Sequence, residues 1–252
     1  MKAKNNRAIW LDRGRQMDMN ILYRFDHAFS WLIPRRCLTC KSTIKPGSHP
    51  LCPICYRSLP FQTNSCRRCG QAFNADQDYC GRCLHAPPPF DACFCPFRYA
   101  EPINQQIQRF KYAARPELAK ALAVTLYTEI RGIGLEMPDL LIPVPLHIHR
   151  LRSRGYNQSW LLVRELARLL DIPCSNRFIK KDRATAAQTL QSLRQRKSNV
   201  RGSFSLRRPI PARSVAIVDD VITTGSTVAE IAKILKRNGV DYVQAWGVAH
   251  TI

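Results

Sequence analysis

Two groups of residues carry chemistry in this sequence. The first is VAIVDDVITTGST (Val215–Thr227): four apolar residues, the pair Asp219-Asp220, and a loop with Thr223, Thr224, Gly225, Ser226 and Thr227. Ionised carboxylates accept hydrogen bonds from a vicinal diol. The helix expected from Ser226 onward presents unpaired amides and the positive end of its dipole, which favours an anion. A diol site beside an anion site fits a ribose 5-phosphate. Thr227 and Glu230 also have the spacing of a capping box, which accounts for Thr227 but not for two adjacent acids closing a strand.

The second group is four C-x-x-C pairs, Cys37/Cys40, Cys52/Cys55, Cys66/Cys69 and Cys80/Cys83, starting 15, 14 and 14 residues apart. Two such turns complete a tetrahedral Cys₄ site, so eight thiols make two structural zinc sites. Sequential pairing is the simplest arrangement, and a crossed one stays open. Residues 37–85 hold few large apolar side chains, and metal supplies the missing stability. Disulfides and redox-active pairs are the alternatives. A cytosolic chain disfavours the first and four evenly spaced copies the second. Cys93, Cys95 and Cys174 fall outside the pattern and read as buried thiols.

The positioning elements follow from periodicity. Residues 103–130 read as two helical pieces parted near Arg115-Pro116. LLIPVPL (Leu140–Leu146) is a buried strand. Residues 157–171 form an amphipathic helix with Leu161, Val163, Leu166 and Leu170 as core candidates. RFIKK (Arg177–Lys181) is a strand, and 182–203 a basic loop or weak helix. SVAIVD is a strand, followed by a helix with Val228, Ile231, Ala232 and Leu235 on one face and Gly239 at its end. Tyr242–His250 is the last strand. Strands alternating with helices imply a mostly parallel sheet with helices on its faces, and such sheets bind ligands at the carboxyl ends of their strands.

The net charge is +21 and apolar residues make up 45% of the chain. The first favours polyanionic partners and the second excludes wholesale disorder. Residues 151–208 hold fourteen Lys/Arg against three Asp/Glu, more cations than one metabolite requires, so single-stranded nucleic acid is a candidate ligand. Tyr156, Trp160, Phe178 and Phe204 lie in this stretch, although such aromatics are more often core than stacking platform. No apolar run approaches the roughly 18 residues of a membrane span. Asn20–Pro34 is interrupted by Arg24, Asp26 and His27. A cytoplasmic protein without membrane insertion is expected. The first 18 residues are polar, and Met17 and Met19 are candidate starts.

VAIVDDVITTGST resembles the phosphoribosyl-pyrophosphate (PRPP) signature of type I phosphoribosyltransferases. PVPLHIHRLRSRGYNQS (Pro143–Ser159) and RATAAQTLQSLRQRKSNVRGSF (Arg183–Phe204) resemble the ComF family of competence-associated proteins, which join a zinc module to a phosphoribosyltransferase-like domain. The resemblance covers roughly residues 34–252. It implies an α/β fold with a type I phosphoribosyltransferase-like, mostly parallel sheet behind a cysteine-rich zinc-ribbon module. The divisions it suggests are an extension at 1–33, a double zinc ribbon at 34–86 and the phosphoribosyltransferase-like domain at 87–252. It further implies that Asp219 and Asp220 hold the ribose hydroxyls, that Thr223, Thr224, Gly225, Ser226 and Thr227 hold the 5-phosphate, and that Arg152, Arg154 and Lys111 are candidates for the pyrophosphate. Magnesium would come with PRPP, held by ligand oxygens and water.

By the same resemblance the expected partners are PRPP or a similar ribose phosphate, single-stranded DNA and proteins of a DNA-uptake machinery. An active phosphoribosyltransferase and a PRPP-sensing regulator are the alternatives. Two like charges crowd one strand end, so changing both Asp219 and Asp220 to Asn is expected to retain or raise stability.

Overall fold

The computed structural model describes residues 35–45, 47–73, 77–112, 115–183 and 200–251. The extension at 1–33 and most of the basic segment 182–203 lie outside the described residues. The chain divides into two compact units after Ser58.

The described part of the first unit is small. Strands β1 (Arg35–Arg36) and β2 (Thr43–Ile44) pair antiparallel, and helix α1 (Pro53–Arg57) starts with Pro in its first turn. The proline suits that place, because its missing N–H is an orphan there anyway. Cys37, Leu51 and Cys55 are its buried residues.

The second unit opens with the second cysteine tetrad and helix α2 (Gly81–His85). Strands β3 (Ala92–Phe94) and β4 (Phe97–Arg98) follow, then helices α3 (Ile103–Tyr112) and α4 (Leu118–Gly132). After strand β5 (Leu140–Pro143) come helices α5 (Ile148–Arg154) and α6 (Gln158–Leu170). Strands β6 (Ile179–Lys181) and β7 (Phe204–Leu206) form a separate antiparallel pair. Strand β8 (Ser214–Ile222), helix α7 (Ser226–Arg237) and strand β9 (Tyr242–His250) complete the unit.

The main sheet is parallel throughout, ordered β3-β9-β8-β5, with β4 beside the far end of β9. Its inner strands are apolar because helices cover both faces. Leu140–Pro143, Val215–Val218 and all of β9 after Tyr242 are buried. The core joins these strands to Val228, Ile231, Ala232 and Leu235 of α7, the face the periodicity selects.

In α6 the face is turned from the expected one. Leu162, Val163, Leu166 and Ala167 are buried, while Leu161 and Leu170 are half-buried. Leucines at 161, 162, 169 and 170 give the pattern two near-equivalent phases, and only the sheet beneath chooses between them. Cys93 and Cys95 are buried and Cys174 is half-buried.

Candidate functional site

Strand β8 carries the two acids to the carboxyl end of the sheet. Val215–Val218 are buried, Asp219 is half-buried, and Asp220 retains only 2% exposure. Asp219 Oδ1 accepts hydrogen bonds from Ser159 Oγ at 2.7 Å and from the Asp220 amide at 2.9 Å. Asp220 Oδ1 meets Lys111 Nζ at 2.9 Å, while its Oδ2 is buried with no partner. Burial first, and then the charge of Asp220, push the Asp219 carboxyl up to about 7 against the pull of Lys111 and Ser159. Burial alone would lower the Lys111 pKa, but the charge and hydrogen bond of Asp220, followed by Asp219, carry it above its ordinary value. The repulsion between the two acids is therefore offset in part by Lys111. Lys111 pairs with Asp220, and losing this ion pair argues against the expectation that a double Asn change retains or raises stability.

The loop after β8 turns at Gly225, with φ at +69°. The left-handed backbone favours glycine there, while a Cβ would make only an ordinary contact, 3.4 Å from the Phe90 ring. Gly225 is itself the N-cap of α7, and no side chain caps the helix. The capping box between Thr227 and Glu230 is absent. Glu230 accepts from the Gly202 amide at 3.4 Å and pairs with Lys233 at 2.6 Å. Thr224 Oγ1 instead lies 2.8 Å from Ser226 Oγ and accepts from the Ser226 amide at 3.3 Å. Thr223 and Thr227 are half-buried beside them. The first turn of α7 thus offers its amides and two hydroxyls to an anion, shortly after Asp220 and its unpartnered carboxylate oxygen in the chain.

The cysteines gather as two sequential tetrads, Cys37/Cys40/Cys52/Cys55 and Cys66/Cys69/Cys80/Cys83, each with its sulfurs within 4.8 Å of one another. A tetrahedral zinc with Zn–S bonds of about 2.3 Å separates its sulfurs by about 3.8 Å. Cys40 and Cys52 lie 3.7 Å apart, and Cys69 and Cys80 lie 3.8 Å apart. All eight are free thiols, and the donor set fits zinc.

Both tetrads use the same two devices. Cys37 and Cys66 open tight turns in which Lys41 and Gly70, each at positive φ, donate back to the cysteine carbonyl. Cys52 and Cys80 are the N-caps of α1 and α2, whose first turns place Cys55 and Cys83. The second tetrad is tied to the sheet. Cys93 N donates to Arg67 O at 2.8 Å, and a Cβ at position 70 would lie 2.6 Å from Cys93 Sγ.

The family model for a double zinc ribbon domain matches residues 28–84. The DNA utilization protein YhgH of Shigella flexneri is 39% identical over 87% of this chain and 99% of its own. The chain belongs to the ComF family. Competence protein F of Haemophilus influenzae is 38% identical over 85% of this chain and 96% of its own. Competence protein ComFC of Bacillus subtilis is 22% identical, over 81% and 78%. Among solved structures, the B. subtilis glutamine PRPP amidotransferase complexed with ADP and GMP covers 54% of this chain and 26% of its own, at 25% identity and a TM-score of 0.33. This ComF-family chain has a parallel sheet with helices packed against it, and a double zinc ribbon with two cysteine tetrads.

The remaining candidate residues of the ComF chain lie on α3 and α5. Lys111, near the end of α3, sits on Asp220 rather than in open solvent. Arg152 is exposed in the last turn of α5, and the Arg154 guanidinium lies over the Tyr112 ring, 4.9 Å from its centroid. Sequence reasoning missed Ser159, which is 1% exposed and holds Asp219. A signal was present in its place directly after Asn157-Gln158. Asn157 caps α6 through bonds from the amides of Ser159 and Trp160, and donates Nδ2 to Val144 O at 3.1 Å, fixing the loop after β5. Among the described residues no helix is long and apolar enough to cross a membrane.

Proposed function

We propose that this ComF-family protein binds PRPP, or a closely related ribose phosphate, at the end of β8 and handles incoming single-stranded DNA in the cytoplasm during DNA uptake. The observation that carries the ligand reading is the buried Asp220 oxygen without a partner, a few residues before the uncapped N-terminus of α7 in the chain. A ribose hydroxyl would satisfy that oxygen, and the 5-phosphate would accept from the amides and hydroxyls of Thr223 to Thr227. A magnesium ion would travel with the diphosphate, held by ligand oxygens and water. The DNA reading rests on the basic excess and on the names of relatives, a competence protein and a DNA utilization protein. Residues 34–86 would act as the ribbon module and 87–252 as the ligand-binding domain, with uptake proteins as further partners.

Calorimetric titration of PRPP with magnesium into the zinc-loaded chain tests the first half. We expect one site per chain, weakened about tenfold or more by Asp219→Asn, because a hydrogen bond to a charged group is worth about 1.5–3 kcal/mol. No heat of binding with the wild-type protein would refute it. Release of pyrophosphate when purine or pyrimidine bases are added would favour the enzyme alternative.

A further inference from the structure

A groove of about 450 Å³ lies beside the diacid site, within the range of roughly 300–1,000 Å³ usual for ligand pockets. It is walled by the loop after β5, the first turn of α6 and strand β6. Of the four aromatic residues in the basic stretch, Phe178 and Phe204 are buried in the core. The other two, Tyr156 and Trp160, are half-buried and line the groove. Tyr156 is held in place, its hydroxyl donating to Phe110 O and its ring stacked on Phe110 at 6.1 Å. The backbone of Trp160 is pinned by the Asn157 cap. Lys180, Lys181 and Arg207 stand along the same groove. Arg207 is exposed, Lys180 leans on Asp182 at 2.8 Å, and the Lys181 ammonium lies 5.5 Å from the centroid of the Phe204 ring.

Rigid aromatic faces beside cations make up the composition of a single-strand site. Any base has a face to stack, and its phosphate is drawn to the adjacent charge. A duplex hides its bases and offers only the second contact. We propose that this groove seats single-stranded nucleic acid, with bases against Trp160 and Tyr156 and phosphates toward Lys180, Lys181 and Arg207. The proposal rests on the single-strand reading above and gives it a location. The groove shares the first turn of α6 with the ribose site: Asn157 and Trp160 line it, while Ser159 between them holds Asp219.

The test is fluorescence anisotropy of a labelled oligothymidylate with the full zinc-loaded chain across a salt series. Trp160→Leu keeps apolar bulk and should weaken binding between about fivefold and about a hundredfold with the salt slope unchanged, since stacking is worth about 1–3 kcal/mol per base. Trp160→Phe should restore most of the affinity. Changing Lys180, Lys181 and Arg207 to Gln should lower the slope of log K against log salt by about two, at roughly 0.7 per phosphate contact. Arg207→Gln alone, at an exposed position, should lower it by about 0.7 without touching the core. If wild type binds and all these variants match it, or if duplex binds as tightly as single strand, the groove is not the seat while strand binding stands. If wild type binds no single strand at moderate salt, the DNA reading itself falls, and the groove proposal with it.

Discussion

The Lys111–Asp220 pair makes the two acids unequal, and that inequality is measurable. Lys111 and Asp220 side chains retain 19% and 3% exposure at a separation of 2.9 Å. An effective dielectric of about 20 gives roughly 6 kcal/mol of attraction at that distance. Desolvation of both groups offsets much of it, and removing one member of such a pair costs about 3–5 kcal/mol. In Asp220→Asn the lower end applies, because Asp219 remains in the field of Lys111. A loss of about 3 kcal/mol corresponds to a fall in Tm of roughly 6–12 °C for a unit of this size. Asp219→Asn leaves the ion pair intact and removes a crowded like charge, so its Tm should match or exceed wild type. Scanning calorimetry of the zinc-loaded, ligand-free proteins near neutral pH reads both. Asp220→Asn melting at or above wild type, with Asp219→Asn below it, would refute the reasoning.

Asp219 also sets a pH dependence. Its folded pKa is raised above the unfolded value, so its contribution to stability is present below about pH 4 and is lost as pH rises toward about 7. The Tm advantage of Asp219→Asn over wild type should therefore widen across that window, and a constant difference would show that the carboxyl is not held in that way. Metal analysis should find about two zinc ions per chain. Cys66→Ser should remove one and lower the melting of the sheet-bearing unit, to which the second tetrad is bonded. Cys37→Ser should remove the other and leave that unit's transition in place.

What could be read from the sequence was local. The apolar run before Asp219, the 3.6 period of α7 and the C-x-x-C spacing are each patterns within a short stretch of sequence, and the structure carries all three. Local patterns also misled where a rival partner existed. Thr227 and Glu230 have capping-box spacing, but Gly225 takes the cap and Glu230 turns to Gly202 and Lys233. The phase of α6 stayed ambiguous between adjacent leucines until the sheet selected Leu162.

The site itself depends on closures across long stretches of chain. Lys111 reaches Asp220 from α3, and Ser159 reaches Asp219 from α6. Phe178 is buried in the core while Trp160, from the same stretch of chain, lines a groove. A sequence states which side chains bear charge or a ring. Which of them share a dehydrated space, and so hold one another's pKa and orientation, is decided by the packing of distant elements, because Coulomb and stacking energies depend on separation in space.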